Sequence, residues 1–166
     1  HSVSERERAR EAVRALCDKY DIILYLDATR LVENAWFIQR REEGYQDKSV
    51  KKILFEFCSY ADGAWMSGKK DHLVNIGGWC AVNDDKVFDK LRNLVVVYEG
   101  LHTYGGMAGR DMEAMAIGIK ESVQDAQITA RIGQVYHLGQ LLEDWDIPII
   151  KPVGGHAIFL DAKAFY

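Results

Sequence analysis

Apolar positions recur at helical spacing from the start of the chain. Ala9, Val13, Leu16 and Tyr20 lie on one stripe, and Ser4 with Glu7 has the form of a capping box, so Ser4 to Tyr20 is predicted to be a helix. The pattern then changes to the short continuous apolar run Ile22 to Leu26, ended by Asp27. Such a run suits a strand covered on both faces, as in a parallel sheet. Leu31 to Arg41 and Asp47 to Tyr60 return to helical spacing around a break at Gly44. A weaker strand is expected near Ala64 to Met66 and a clearer one from Leu73 to Val82.

Farther along, "DDKVFDKLRN" from Asp84 reads as a helix and "LVVVYEG" as another buried strand. The glycine-rich "LHTYGGMAGR" reads as a loop. Asp111 to Trp145 carries one long helical pattern, with an interruption expected near Gly133 and with Ile128, Ile132, Val135, Leu138 and Leu142 on one stripe. Pro148 ends it, and "PIIKPVGG" and "HAIFLDA" read as two short strands. Strand and helix in alternation predict an α/β fold with a mostly parallel sheet sandwiched by helices. The chain starts on a helix and stops just after a strand pattern, so it reads as a fragment.

The length of 166 residues suffices for one core. A net charge of −4 gives no footprint for nucleic acid or a membrane surface. No apolar run approaches the roughly 20 residues of a membrane span. The opening "HSVSERERAR" is charged, unlike a secretory leader. Cys17, Cys58 and Cys80 are far apart and without C-x-x-C spacing, which fits reduced thiols in a cytoplasmic protein.

Candidate chemistry gathers at two strand ends, where open α/β sheets bind ligands. One is "LDATR", with Asp27 and Arg30; the other is "MSGKKD", with Ser67, Lys69, Lys70 and Asp71. Ser67-Gly68-Lys69 offers a hydroxyl, a permissive backbone and an ammonium, all suited to a phosphate. Lys70 stands beside a second charge; a like charge and desolvation both favour the neutral amine, which condenses with carbonyls. Asp27 suits a protonated ring nitrogen. Pyridoxal phosphate asks for this set. The plainer alternative is a solvated lysine turn and a helix-capping aspartate.

The stretch "YADGAWMSGKKDHLVNIGG" resembles the cofactor-lysine signature of the β-eliminating lyases, the family of tyrosine phenol-lyase and tryptophanase. "LDATRLVENAWFI", "REEGYQDKSVKKI", "VVVYEGLHTYGGMAGRDMEAMAIG" and "PVGGHAIFLDA" are similar to this family as well. The resemblance implies a pyridoxal-phosphate transferase-like fold. Residues 1–145 would belong to the cofactor-binding large domain with its long C-terminal helix, and 146–166 would start a small C-terminal domain. It further implies that Lys70 holds pyridoxal phosphate and later acts as general base, and that Ser67 and Lys69 contact its phosphate. Asp27 would pair with the pyridinium nitrogen and Arg30 with the ring's phenolic oxygen. Asn75 would give a backbone carbonyl to a potassium ion, and Tyr104 would stand near the active site at a subunit interface of a homotetramer.

The implied reaction is β-elimination of tyrosine to phenol, or of tryptophan to indole, giving pyruvate and ammonia. The alternatives are another reaction on the same scaffold, such as aminotransfer or carbon–sulfur elimination, and an inactive remnant. The family's stacking aromatic and its carboxylate-binding arginine have no counterpart here, so the isolated segment is expected to be inactive.

Overall fold

A computed structural model of the chain describes residues 5–166, with side chains from Ala9 onward. The chain divides into two compact units, the first ending at Gln124 and the second running Asp125–Tyr166. In the first unit the order is α1 (Glu5–Tyr20), β1 (Tyr25–Asp27), α2 (Leu31–Arg41), α3 (Val50–Cys58), β2 (Gly63–Ser67), β3 (Gly78–Val82), α4 (Asp85–Tyr98) and α5 (Gly109–Ser122). The capping pattern at Ser4 lies outside the described residues.

The sheet has the order β1-β2-β3. β1 and β2 are parallel, with Tyr25 opposite Gly63 and Asp27 opposite Trp65. β2 and β3 are antiparallel, with Gly63 opposite Val82 and Ser67 opposite Gly78. The expected mostly parallel sheet is therefore corrected to a mixed one. The reason is the connection: a parallel crossover takes a dozen residues or more and usually a helix. Only the loop Gly68–Gly77, which holds the lysine pair, joins β2 to β3. The same loop takes Leu73 to Gly77 out of the strand expected there.

The core of this unit lies between the sheet and the α2–α3 hairpin. Ala28, Leu31, Ala64 and Met66 form one buried cluster, with Leu26, Leu54, Phe57 and Trp79 packed against it. Val32, Ala35 and Ile38 on α2 and Val50 and Ile53 on α3 are almost wholly buried. Ser49 starts α3 by accepting the Lys52 N–H at 3.2 Å, the satisfied cap that its residue type predicts. Asp62 ties the helix before the sheet to its strands. Its carboxylate accepts the Leu24 N–H at 2.8 Å and a bond from Arg14 at 2.9 Å.

Two expected boundaries are corrected. "LVVVY" is the second half of α4, not a strand. Asp84 caps that helix by accepting the Val87 N–H at 2.9 Å, and no stop signal intervenes before Glu99. Once nucleated, a helix adds one bond per residue, and the weak β-preference of valine does not oppose it. The long helix expected over 111–145 is broken at Val123 and Gln124, not at Gly133. There the Ser122 hydroxyl turns back to donate to the Ile119 carbonyl at 3.2 Å.

In the second unit α6 (Asp125–Asp144) buries Ile128, Ile132 and Gly139. A side chain at Gly139 would meet Ile158, Val153 and Ile149, so the absence of one lets the closing segment lie close to the helix. The two strands expected in that segment reduce to a single antiparallel bridge, Ile149 to Leu160, before the short α7 (Ala162–Phe165). Among the described residues no helix is long and apolar enough to cross a membrane.

Two outcomes follow for stability, each read from urea unfolding of the full-length protein. Ile53→Ala deletes a wholly buried side chain and is expected to cost about 2–5 kcal/mol, whereas the exposed Lys51→Ala should stay within about 0.5 kcal/mol. The Leu24 N–H first, and Arg14 second, hold the Asp62 carboxyl below its ordinary value of 3.8. A lowered folded-state pKa gives stability that is complete above the ordinary value and lost as pH falls through the folded one. Asp62→Asn should therefore flatten the acid limb of the stability curve below about pH 4.

Candidate active site at the ends of the parallel strands

β1 ends because its last side chain captures the backbone ahead of it. The Asp27 carboxylate accepts the Thr29 N–H at 3.0 Å, an Asx-type turn that bends the chain off the sheet toward α2. The Ala28 N–H still donates to the Trp65 carbonyl at 2.8 Å, so the bend begins flush with β2. Asp27 itself is exposed. Its carboxyl is held below the ordinary range, chiefly by the Thr29 backbone N–H and then by the Thr29 hydroxyl; partial desolvation opposes them. The Trp65 indole and the charge of Arg30 add smaller contributions. Arg30 occupies the N-cap position of α2, with its backbone carbonyl accepting from Asn34 at 3.2 Å.

β2 ends beside it. The Ser67 N–H donates to Thr29 Oγ1 at 3.3 Å, so one threonine bonds to both strand ends. The chain then folds through tight turns: Gly68 N–H to the Gly77 carbonyl at 2.9 Å, Lys70 N–H to Ser67 at 3.3 Å, and Leu73 N–H to Lys70 at 3.1 Å. Leu73 closes the turn with φ at +53°. Lys69 is exposed and Lys70 half-buried.

The next residue fixes this turn to α2. Asp71 is 2% exposed, and its carboxylate accepts the Val32 N–H at 2.8 Å. Arg30 gives the helix no side-chain cap, so Asp71 does that work from the lysine turn. His72 follows, also buried, between Trp79 Nε1 at 3.1 Å and Ser122 Oγ at 3.0 Å. The sequence names Asp71 among the candidate groups without giving it a role, and does not single out His72.

Asp27, Arg30, Ser67, Lys69 and Lys70 thus come from two neighbouring strand ends joined by Thr29 and Asp71. Asn75 lies exposed later in the lysine loop. Tyr104, 41% exposed, sits in the separate turn Leu101–Met107. The two loops touch at Gly77, where φ is +92° and an added side chain would strike Met107 and Met115. Among the described residues no hydrogen bond joins Tyr104 to Asp27, Arg30 or Ser67.

Asp71→Ala should leave the Val32 N–H buried without that acceptor and cost about 1–3 kcal/mol, measured as a shift of the urea midpoint. Asp71→Asn keeps an acceptor oxygen and should lose less.

The family model described as beta-eliminating lyase matches residues 6–162. Tyrosine phenol-lyase of Nostoc punctiforme is 66% identical over 154 residues, which is 93% of this chain and 33% of the relative. Tyrosine phenol-lyase of Intrasporangium calvum is 58% identical over the same shares, and that of Lacrimispora saccharolytica 54% identical over 155 residues. The chain therefore spans about a third of the length of these relatives. With a family match across nearly all of its length, the chain belongs to the β-eliminating lyase family.

Proposed function

We propose that the chain supplies the cofactor-anchoring part of a pyridoxal-phosphate-dependent lyase that converts L-tyrosine and water to phenol, pyruvate and ammonia. The observation that carries this reading is the pairing of strand ends: a carboxylate that stays ionised after β1, tied through Thr29 to the Ser67–Lys70 turn after β2. The donor set fits the group. An anion suits a protonated ring nitrogen, a hydroxyl and an ammonium suit a phosphate, and a primary amine suits an aldehyde. The names of the relatives favour tyrosine over tryptophan.

When bound, the cofactor supplies an electron sink for the pair left on the substrate's α-carbon. Lys70 Nζ is the anchoring amine and, once displaced by substrate, the base that takes the α-proton. Asp27 stays anionic at working pH and so holds a proton on its partner nitrogen. Ser67 and Lys69 orient the group by its phosphate, and Arg30 by its phenolic oxygen. The same reading assigns the Asn75 carbonyl to an activating potassium ion, Tyr104 to an interface in a cytoplasmic homotetramer, and residues 146–166 to the start of a second domain.

The test uses the full-length protein, loaded with pyridoxal phosphate, reduced with borohydride and mapped by peptide. The label is expected on Lys70. A label on Lys69, or on no lysine between Met66 and Val74, overturns the assignment. Lys70→Ala should lower phenol release from tyrosine on the order of 10²–10⁴-fold. Indole from tryptophan in place of phenol would overturn the substrate.

A further inference from the structure

His72 lies two positions beyond the proposed anchoring lysine and is 7% exposed. Both ring nitrogens are engaged. The Trp79 indole N–H can only donate, so Nε2, 3.1 Å away, is the acceptor and carries no proton. The Ser122 hydroxyl donates to the Ile119 carbonyl at 3.2 Å, which leaves its lone pairs for a proton on His72 Nδ1 at 3.0 Å. The network therefore sets one neutral tautomer. The His72 and Trp79 rings also lie nearly parallel, at 24°, with centroids 6.5 Å apart.

These contacts join three elements. Trp79 belongs to β3 and Ser122 to the last turn of α5, while His72 belongs to the lysine turn. One turn back on α5, a side chain at Gly118 would collide with the His72 carbonyl, so helix and loop backbone are in close approach. The adjacent Asp71 ties the same turn to α2.

We propose that His72, as a neutral imidazole protonated on Nδ1, is the positioning residue that holds the lysine turn in place, and that a proton on Nε2 releases it. This rests on the reading of Lys70 as the cofactor amine. A second proton would set an N–H against the indole N–H and cost the Trp79 bond. Burial disfavours that cation, and the neighbouring Asp71 carboxylate partly opposes the effect. The groups facing the ring from β3 and α5, Trp79 and Ser122, carry no charge.

The test has two arms on the full-length protein. Long-range proton–nitrogen NMR of the cofactor-free protein should show His72 protonated on Nδ1 only, staying neutral below the pH at which a free imidazole titrates. Trp79→Phe keeps a ring but removes the donor, and should raise the pH at which His72 charges. An Nε2-protonated tautomer, or an unchanged titration in Trp79→Phe, overturns the proposal. The second arm is the rate of pyridoxal-phosphate trapping on Lys70. His72→Leu should slow it about fivefold or more, whereas His72→Gln, which retains an acceptor for the indole, should stay within about twofold and lose only that part of the acid-side fall that tracks the His72 titration seen by NMR, the part set by protonation of the Lys70 amine remaining. Equal rates in both variants, or an unchanged acid limb in His72→Gln, overturn it. Were Lys70 never labelled in the native protein, the reading of the lysine would fail while the NMR arm still decided the tautomer. Were His72→Leu not to fold, Trp79→Phe carries both arms.

Discussion

The hydrogen bond from the Val32 N–H to the buried carboxylate of Asp71 joins segments 39 positions apart, and the spacing of the proposed chemistry depends on it. A helix begins with N–H groups that have no internal partner, and its N-terminal end favours a negative charge. Arg30, at the cap position of α2, supplies neither. Asp71 supplies both from the turn that carries Lys69 and Lys70. Hydrogen bonds to charged groups are worth about 1.5–3 kcal/mol net, enough to fix the turn against thermal motion. The helix start in turn follows directly on the Asp27 turn. Asp27 and Lys70 are thus located relative to each other by a helix end that neither belongs to.

The rest of the unit makes that helix end a firm reference. α2 is held on one side by Val50 and Ile53 of α3 and on the other by the cluster around Ala64 and Met66 of β2. β2 is the middle strand, so its end is bracketed by both neighbours, with Thr29 on the β1 side and Gly77 and Gly78 on the β3 side. Groups placed on a packed scaffold lose little entropy when they meet a ligand, which is how positioning lowers a barrier. His72 extends the same logic to β3 and α5.

The sequence made the local parts of this site legible. A carboxylate after an apolar run and a Ser-Gly-Lys-Lys turn after another are visible because each is a few residues long. α2 and α3 were visible from their periodicity. The parts that fix the geometry were not. Asp71 reaches its partner across 39 positions and His72 reaches Ser122 across 50, and no local pattern encodes either. Two expectations failed for separate physical reasons. The run Leu94–Val97 was read by residue preference, yet a capped helix already under way overrode it. The direction of β3 was read from a general α/β alternation, yet the length of the Gly68–Gly77 connection decided it.

Two adjacent lysines near apolar sequence pose a charge problem that their exposure largely resolves. Lys69 is exposed, and repulsion between hydrated ammonium groups is under about 1 kcal/mol in bulk water. Lys70 is half-buried in a turn whose next residue is an ionisable acid at a helix end. The pair is therefore tolerable on its own, and its presence does not by itself demand a phosphate or an aldehyde. The weight of the functional reading falls on Asp27. An exposed carboxylate is drawn into a turn by the Thr29 N–H, which lowers its proton affinity, and the neighbouring strand ends in the turn that carries Lys69 and Lys70. A purely structural aspartate would explain the turn alone. In the proposed reading, the turn, the ionised carboxylate and the lysines after β2 together serve a protonated heterocycle bearing an aldehyde and a phosphate.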